Sequence, residues 1–162
     1  MGFDIRPYEA EHLAGVLAVS KRAWTPVFEK LHPAVAPYVY EAFYPDGWWT
    51  RQKGDIEAML SDKETAVWVA IEDRAPVGFV GVRLHPEDQM GEVYILGVDP
   101  SHQKRGIGRA LLQVAFQQMR LANMKIVMVE TGDDPGHAPS RAAYESAGFE
   151  RWPVARYFRK LS

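Results

Sequence analysis

The stretch Val98 to Arg109, VDPSHQKRGIGR, constrains the fold more than any other. An apolar segment rich in strand-forming residues, Glu92 to Val98, runs into Asp99-Pro100 and through a loop holding Lys104, Arg105, Gly106 and Gly108. It then opens a helical pattern from Ile107 to Leu121, in which Ile107, Leu111, Leu112, Ala115, Phe116 and Met119 fall on one face. A strand feeding a helix through so short a turn demands an α/β layer architecture, with the helix laid back on a sheet. It also exposes a helix N-terminus, whose unpaired N–H groups and partial positive charge attract anions, phosphate above all. Gly106 and Gly108 remove side chains so that backbone can approach a diphosphate, and Lys104, Arg105 and Arg109 add positive charge. The G-x-x-x-x-G-K-[ST] spacing of a triphosphate loop is absent, and Leu111 stands where a dinucleotide fingerprint needs its third glycine.

The rest of the chain supplies the remaining layers. Phe3 to Tyr8 reads as a first strand and Ala10 to Trp24 as a helix, with Leu13, Val16, Leu17 and Ala23 at helical spacing. Trp24 to Trp49 is crowded with aromatic residues and broken by Pro26, Pro33, Pro37 and Pro45, so one or two short helices are expected, with another over Ile56 to Leu60. Thr65 to Glu72 and Val77 to Leu84 form a hairpin about Asp73-Arg74-Ala75-Pro76, followed by the strand Glu92 to Val98. Beyond the central helix come a strand over Lys125 to Thr131, a loop over Gly132 to Pro139, a helix over Ser140 to Ala147 and a last strand over Arg151 to Arg159. One domain spanning residues 1–162 is expected, a mixed, mostly antiparallel twisted sheet flanked by helices.

Composition removes several classes of function. There is no cysteine, which excludes disulfides, thiolate metal sites and a covalent acyl-cysteine. His12, His32, His85 and His102 form no zinc pattern, and Asp133-Asp134 lacks ligand spacing, so no metal is expected. A net charge of −2 gives no overall pull toward nucleic acid. The opening MGFDIRPYEAEHL is not signal-like, and no apolar run approaches the roughly 20 residues of a membrane span. A soluble cytoplasmic protein without membrane or nucleic-acid partners is expected.

Two segments together carry a resemblance. Gln103-x-x-Gly106-x-Gly108 resembles the Q/R-x-x-G-x-G/A signature of the GNAT N-acetyltransferases. Ala143-Tyr144-Glu145-Ser146-Ala147-Gly148-Phe149 resembles that family's tyrosine-bearing helix and the Gly-Phe that ends it. The resemblance covers roughly Thr65 onward and implies a GNAT-like fold with a splayed central strand pair, acetyl-CoA as co-substrate, and direct transfer to an amine. It further implies that Gln103, Lys104, Arg105, Gly106, Ile107, Gly108 and Arg109 grip the diphosphate. Backbone groups of Leu96 and Val98 would pair with pantetheine, and the Leu96 N–H would polarise the thioester carbonyl. Tyr144 would protonate the departing thiolate.

Glu92, eleven residues before Gln103, stands where some members carry a general base; a solvated carboxylate or one paired with a nearby cation is the structural alternative. Alternation puts Glu92 on one face with Tyr94 and Leu96 unless a bulge intervenes. His137 occupies the place of an asparagine in many members. It has three readings: a hydrogen bond to the coenzyme, a second base, or a surface loop residue. Glu41 and Asp46, in the aromatic stretch, could draw a cationic acceptor. The resemblance implies a small-molecule or peptide amine as acceptor, a homodimer stays open, and a coenzyme-binding sensor or scaffold without turnover is the alternative function.

Overall fold

Asp73 and Arg74 both adopt positive φ, 49° and 66°, making a tight turn between two strands. Around that hairpin the computed structural model, which describes residues 2–162, builds a five-stranded sheet. The strands are β1 (Phe3–Pro7), β2 (Ala66–Glu72), β3 (Ala75–His85), β4 (Met90–Val98) and β5 (Ile126–Val129), lying side by side in chain order. All neighbours are antiparallel except β4 and β5, which are parallel and joined by a helical crossover. The helices are α1 (Leu13–Leu31), α2 (Pro37–Phe43), α3 (Trp48–Ser61), α4 (Ile107–Leu121) and α5 (Ala138–Ser146).

Each face of the sheet buries its own core. On one face, Ile107, Leu111, Leu112, Ala115 and Met119 of α4 close over Val77, Val80, Val82 and Val93. On the other, Val16 and Val19 of α1 and Ile56 and Met59 of α3 cover Val67, Val69, Ile71 and Phe79. Both faces are therefore shielded, as a crossover unit requires.

Three expectations are corrected. The first helix does not end at Trp24 but continues through Pro26 to Leu31. The proline removes one backbone bond, yet Phe28 beyond it is buried and stacks on Trp48 at 4.6 Å, and that burial holds the last turns. The short helix near Ile56 is the middle of the longer α3, whose start at Trp48 lies in the aromatic stretch. Finally, the strand expected over Arg151 to Arg159 does not form. Pro153 has no N–H to give a ladder, β5 offers only four residues, and Trp152, Val154 and Tyr157 stay exposed.

Candidate active site

β4 and β5 pair over four positions, from Met90↔Ile126 to Val93↔Val129. Beyond Val93 the two strands part, and β4 runs on to Val98 with no partner strand on that side among the described residues. A bulge marks the parting: Val82 faces Val93 and Gly81 faces Ile95, leaving Tyr94 as the extra residue. The bulge resets the alternation. Tyr94 and Ile95 both pack against the α1–α3 core, whereas Val93, Leu96 and Val98 pack toward α4. Glu92 therefore keeps a face with Tyr94 but not with Leu96, the exception that a bulge was expected to make.

The open edge is lined by backbone. The Asp99 N–H donates to the Val77 carbonyl on β3 at 2.8 Å. Because antiparallel residues alternate in the neighbour they bond, Leu96 and Val98 turn their N–H and C=O groups away from β3, toward the vacated edge. The Val98 carbonyl accepts the Gln103 side-chain amide at 3.3 Å, so Gln103 closes the end of the strand.

The turn that follows is anchored by Asp99, which is 4% exposed. Its Oδ1 accepts the Ser101 N–H at 2.9 Å and hydroxyl at 2.6 Å, and its Oδ2 accepts the Arg22 Nε–H at 2.7 Å. Burial is the largest influence and opposes the charge, but Ser101 and Arg22 together outweigh it and hold the carboxyl at about 2. Gly106 caps α4 in the left-handed region at φ 83°, and Lys104 also takes positive φ at 62°. A Cβ on Gly106 would meet nothing, so it is the conformation that favours glycine there. A Cβ on Gly108 would make only ordinary contact with Val98, so internal packing does not demand that glycine. Bare backbone at both positions fits close approach by a diphosphate.

The three cations of this turn do not behave alike. Arg105 forms a bidentate pair with Glu72 at the end of β2, at 2.7 and 3.0 Å, and His102 Nε2 reaches the same carboxylate at 3.0 Å. The Arg105 hydrogen bond is the main cause holding Glu72 below its ordinary range. Lys104 and Arg109 are exposed and have no ion-pair partner among the described residues. Ile107 is buried in the α4 core, so it can offer a ligand only its backbone.

Of the candidate proton-transfer groups, Glu92 accepts or shares a hydrogen bond with His85 Nε2 at 2.8 Å, and its side chain is 15% exposed. His85 carried no role in the sequence because its proximity needs the β3–β4 register, which sets it diagonal to Glu92. Arg83, directly opposite Glu92, lies 3.4 Å over the Tyr94 ring. Tyr144 packs against the α4 core edge-on to Phe149, at 5.6 Å between ring centres, and burial pushes its phenol up to about 12. His137 is not a loose loop residue: its Nδ1 lies 2.6 Å from Asp134 Oδ1.

Comparison with known proteins finds relatives in sequence and in fold. The profile of the Acetyltransferase (GNAT) family matches residues 23–149. Mycothiol acetyltransferase of Thermomonospora curvata is 34% identical over 111 residues, covering 67% of this chain and 36% of that protein. The mycothiol acetyltransferase of Acidothermus cellulolyticus is 44% identical over 76 residues, 47% of this chain and 23% of the relative. The chain thus matches about a third or less of the length of these curated relatives. Among solved structures, the PaiA N-acetyltransferase from Thermoplasma acidophilum, in complex with coenzyme A, superposes with a TM-score of 0.70 at 17% identity, over 96% of this chain and 94% of that one. The ribosomal-protein-S18-alanine N-acetyltransferase from Escherichia coli does so with 0.69 at 17% identity, over 98% and 85%. At such identities the likeness is one of fold.

Proposed function

The chain belongs to the Acetyltransferase (GNAT) family, and we propose on that premise that it transfers an acetyl group from acetyl-CoA directly to a primary amine of a small molecule or peptide. The observation that carries this reading is the juxtaposition of an unpaired strand edge, Leu96 to Val98, with the basic turn that opens α4.

In this reading the amides of Gly106, Ile107 and Gly108, with Lys104 and Arg109, hold the diphosphate. Arg105 supports the turn through Glu72. Leu96 and Val98 bond the pantetheine arm, and the Leu96 N–H stabilises charge on the thioester oxygen as nitrogen attacks. The coenzyme supplies an activated acyl group and a thiolate leaving group. A lysine-like amine, with a pKa of about 10.4, arrives protonated, so a proton acceptor is needed. Glu92, steadied by His85, is that acceptor. Tyr144 remains a phenol throughout the neutral range and donates a hydrogen bond to the departing sulfur. The aromatic wall of Phe28, Tyr40, Tyr44 and Trp48 lies on the α1 side, where it borders the approach of the amine.

Calorimetry with coenzyme A, paired with detection of free thiol in the presence of acetyl-CoA and an amine panel, tests the reading. Binding with thiol release, and a fall in kcat of about 10²-fold in Tyr144→Phe at unchanged coenzyme affinity, is expected. No uptake of coenzyme A sinks it. Uptake without release from any amine supports the alternative of a coenzyme-binding module.

A further inference from the structure

Acetylation of an ammonium ion moves more than one proton. The first leaves to expose the nitrogen lone pair; the second leaves nitrogen as the amide forms, while the departing sulfur needs a proton. Glu92 and His85 sit near the paired end of β4. Tyr144 is poorly matched to the second transfer: burial pushes its phenol up to about 12, well above an ordinary thiol near 8.5, so handing over its proton is uphill.

Another pair stands at the head of the same helix. His137 caps α5, and Tyr144 follows seven residues later, nearly two full turns, so the two lie on one helix face. Asp134 Oδ1 holds His137 Nδ1 at 2.6 Å, and Asp134 Oδ2 accepts the His137 backbone N–H at 3.2 Å. A carboxylate on Nδ1 fixes the tautomer that leaves Nε2 as the basic nitrogen. Nε2 has no partner among the described residues.

The segment is built to hold this geometry. Arg141 Nη1 donates to the carbonyls of Gly132 at 2.8 Å and Asp134 at 2.7 Å. Gly136 is buried against the backbone of Val27 on α1, and a Cβ on Gly132 would collide with Asp134 and come within 3.0 Å of His137 Nδ1. The segment leaves β5 at Val129, the last position paired with β4 before the two strands part, and packs on α1 at Gly136. The other charged or titratable groups around the pair are Asp133, which accepts from Arg151 at 3.3 Å and lies 3.7 Å from Arg141, and Tyr44, which caps the end of α2. Tyr44 is raised chiefly by burial, with Asp134 and Asp55 adding to the rise and Arg51 opposing it.

We infer that the Asp134–His137 pair is the proton shuttle of the transfer. His137 Nε2 takes the proton nitrogen loses as the N–C bond forms and gives it to sulfur as the C–S bond breaks. The balance closes without another reactant: amine plus thioester gives amide plus thiol, and His137 returns to its starting state. The inference rests on the acetyl-transfer reading.

The test uses the full chain with acetyl-CoA and three probe amines, spermidine, tyramine and alanine amide, following free thiol. His137→Ala should lower kcat by about 10²-fold, with excess imidazole restoring about tenfold of it, and Asp134→Asn should cause a comparable loss by releasing the tautomer. Coenzyme A affinity of His137→Ala should stay within about threefold by calorimetry, a change small against the 1.4 kcal/mol of a tenfold effect. In the wild type, coenzyme A should shift the NMR signals of the His137 ring. Turnover of His137→Ala near the wild-type rate, a loss that imidazole does not restore, or an unmoved ring signal overturns the shuttle and leaves the transfer reading standing. Wild-type protein that binds coenzyme A yet releases no thiol with any probe overturns both.

Discussion

Asp99 shows what a single residue can hold together and how little of it is visible locally. The sequence presents it as the Asp of an Asp-Pro turn ending a strand. Its partner Arg22 stands 77 positions earlier, on α1, so only the fold brings the two together. Tyr144 was legible as a candidate inside its motif and Glu92 by its place eleven residues before Gln103, but the His85 contact to Glu92 and the position of the bulge at Tyr94 were not, since both depend on strand register. For Asp99→Asn, the bonds to Arg22 and Ser101 lose their charge, and a stability loss of about 1–3 kcal/mol is expected. The pH dependence has a definite sign. The folded carboxyl at about 2 lies below its ordinary 3.8, so its contribution is complete above the ordinary value and is lost as pH falls through the folded one. Thermal unfolding should show Asp99→Asn less stable at pH 7, with the gap to wild type narrowing steadily below about pH 4. A gap that persists at pH 2 contradicts the assignment.

At the scale of an element, the turn into α4 was readable as an anion site because helix termini behave alike in any context, and α4 itself runs from Ile107 to Leu121 as its apolar spacing predicts. The division of labour within the turn was not readable. Lys104, Arg105 and Arg109 look equivalent in sequence, yet the end of β2 brings Glu72 against Arg105 alone. Arg109→Ala should therefore weaken coenzyme A binding about tenfold, the worth of one charge-assisted hydrogen bond. Arg105→Ala should change affinity by less than about threefold and cost stability only modestly, as exposed ion pairs do. Calorimetry on the two variants decides it. A larger loss in Arg105→Ala than in Arg109→Ala would mean that Arg105 exchanges Glu72 for phosphate when the coenzyme binds.

Across the whole molecule, the parts that could be read were those whose burial pattern is local: the β2–β3 hairpin, β4, α4 and the tyrosine-bearing α5. The parts that misled were settled by distant packing. Pro26 suggests a helix end until Trp48 supplies a stacking partner for Phe28, and the apolar residues after Phe149 suggest a strand until the shortness of β5 is known. The terminal segment accordingly joins no sheet. Trp152, Val154, Tyr157 and Leu161 are each at least 81% exposed, while Phe158 reaches back edge-on to Phe43 of α2 at 5.8 Å and Arg151 pairs with Asp133 and Glu145. The edge of β5 borders a groove of about 500 Å³ lined by Phe116, Met119, Met124, Val127 and Phe149, with Glu150 at its rim. If the segment covers so little, a chain ending at Glu150 should keep its fold, losing one aromatic contact and the exposed Arg151 pairs, together about 1–2 kcal/mol. For a domain of this size that lowers Tm by roughly 2–8 °C at constant cooperativity, measured by circular dichroism. A much larger fall, or a loss of the cooperative transition, would show instead that the segment seals the groove beside β5 and belongs to the core that α4 closes.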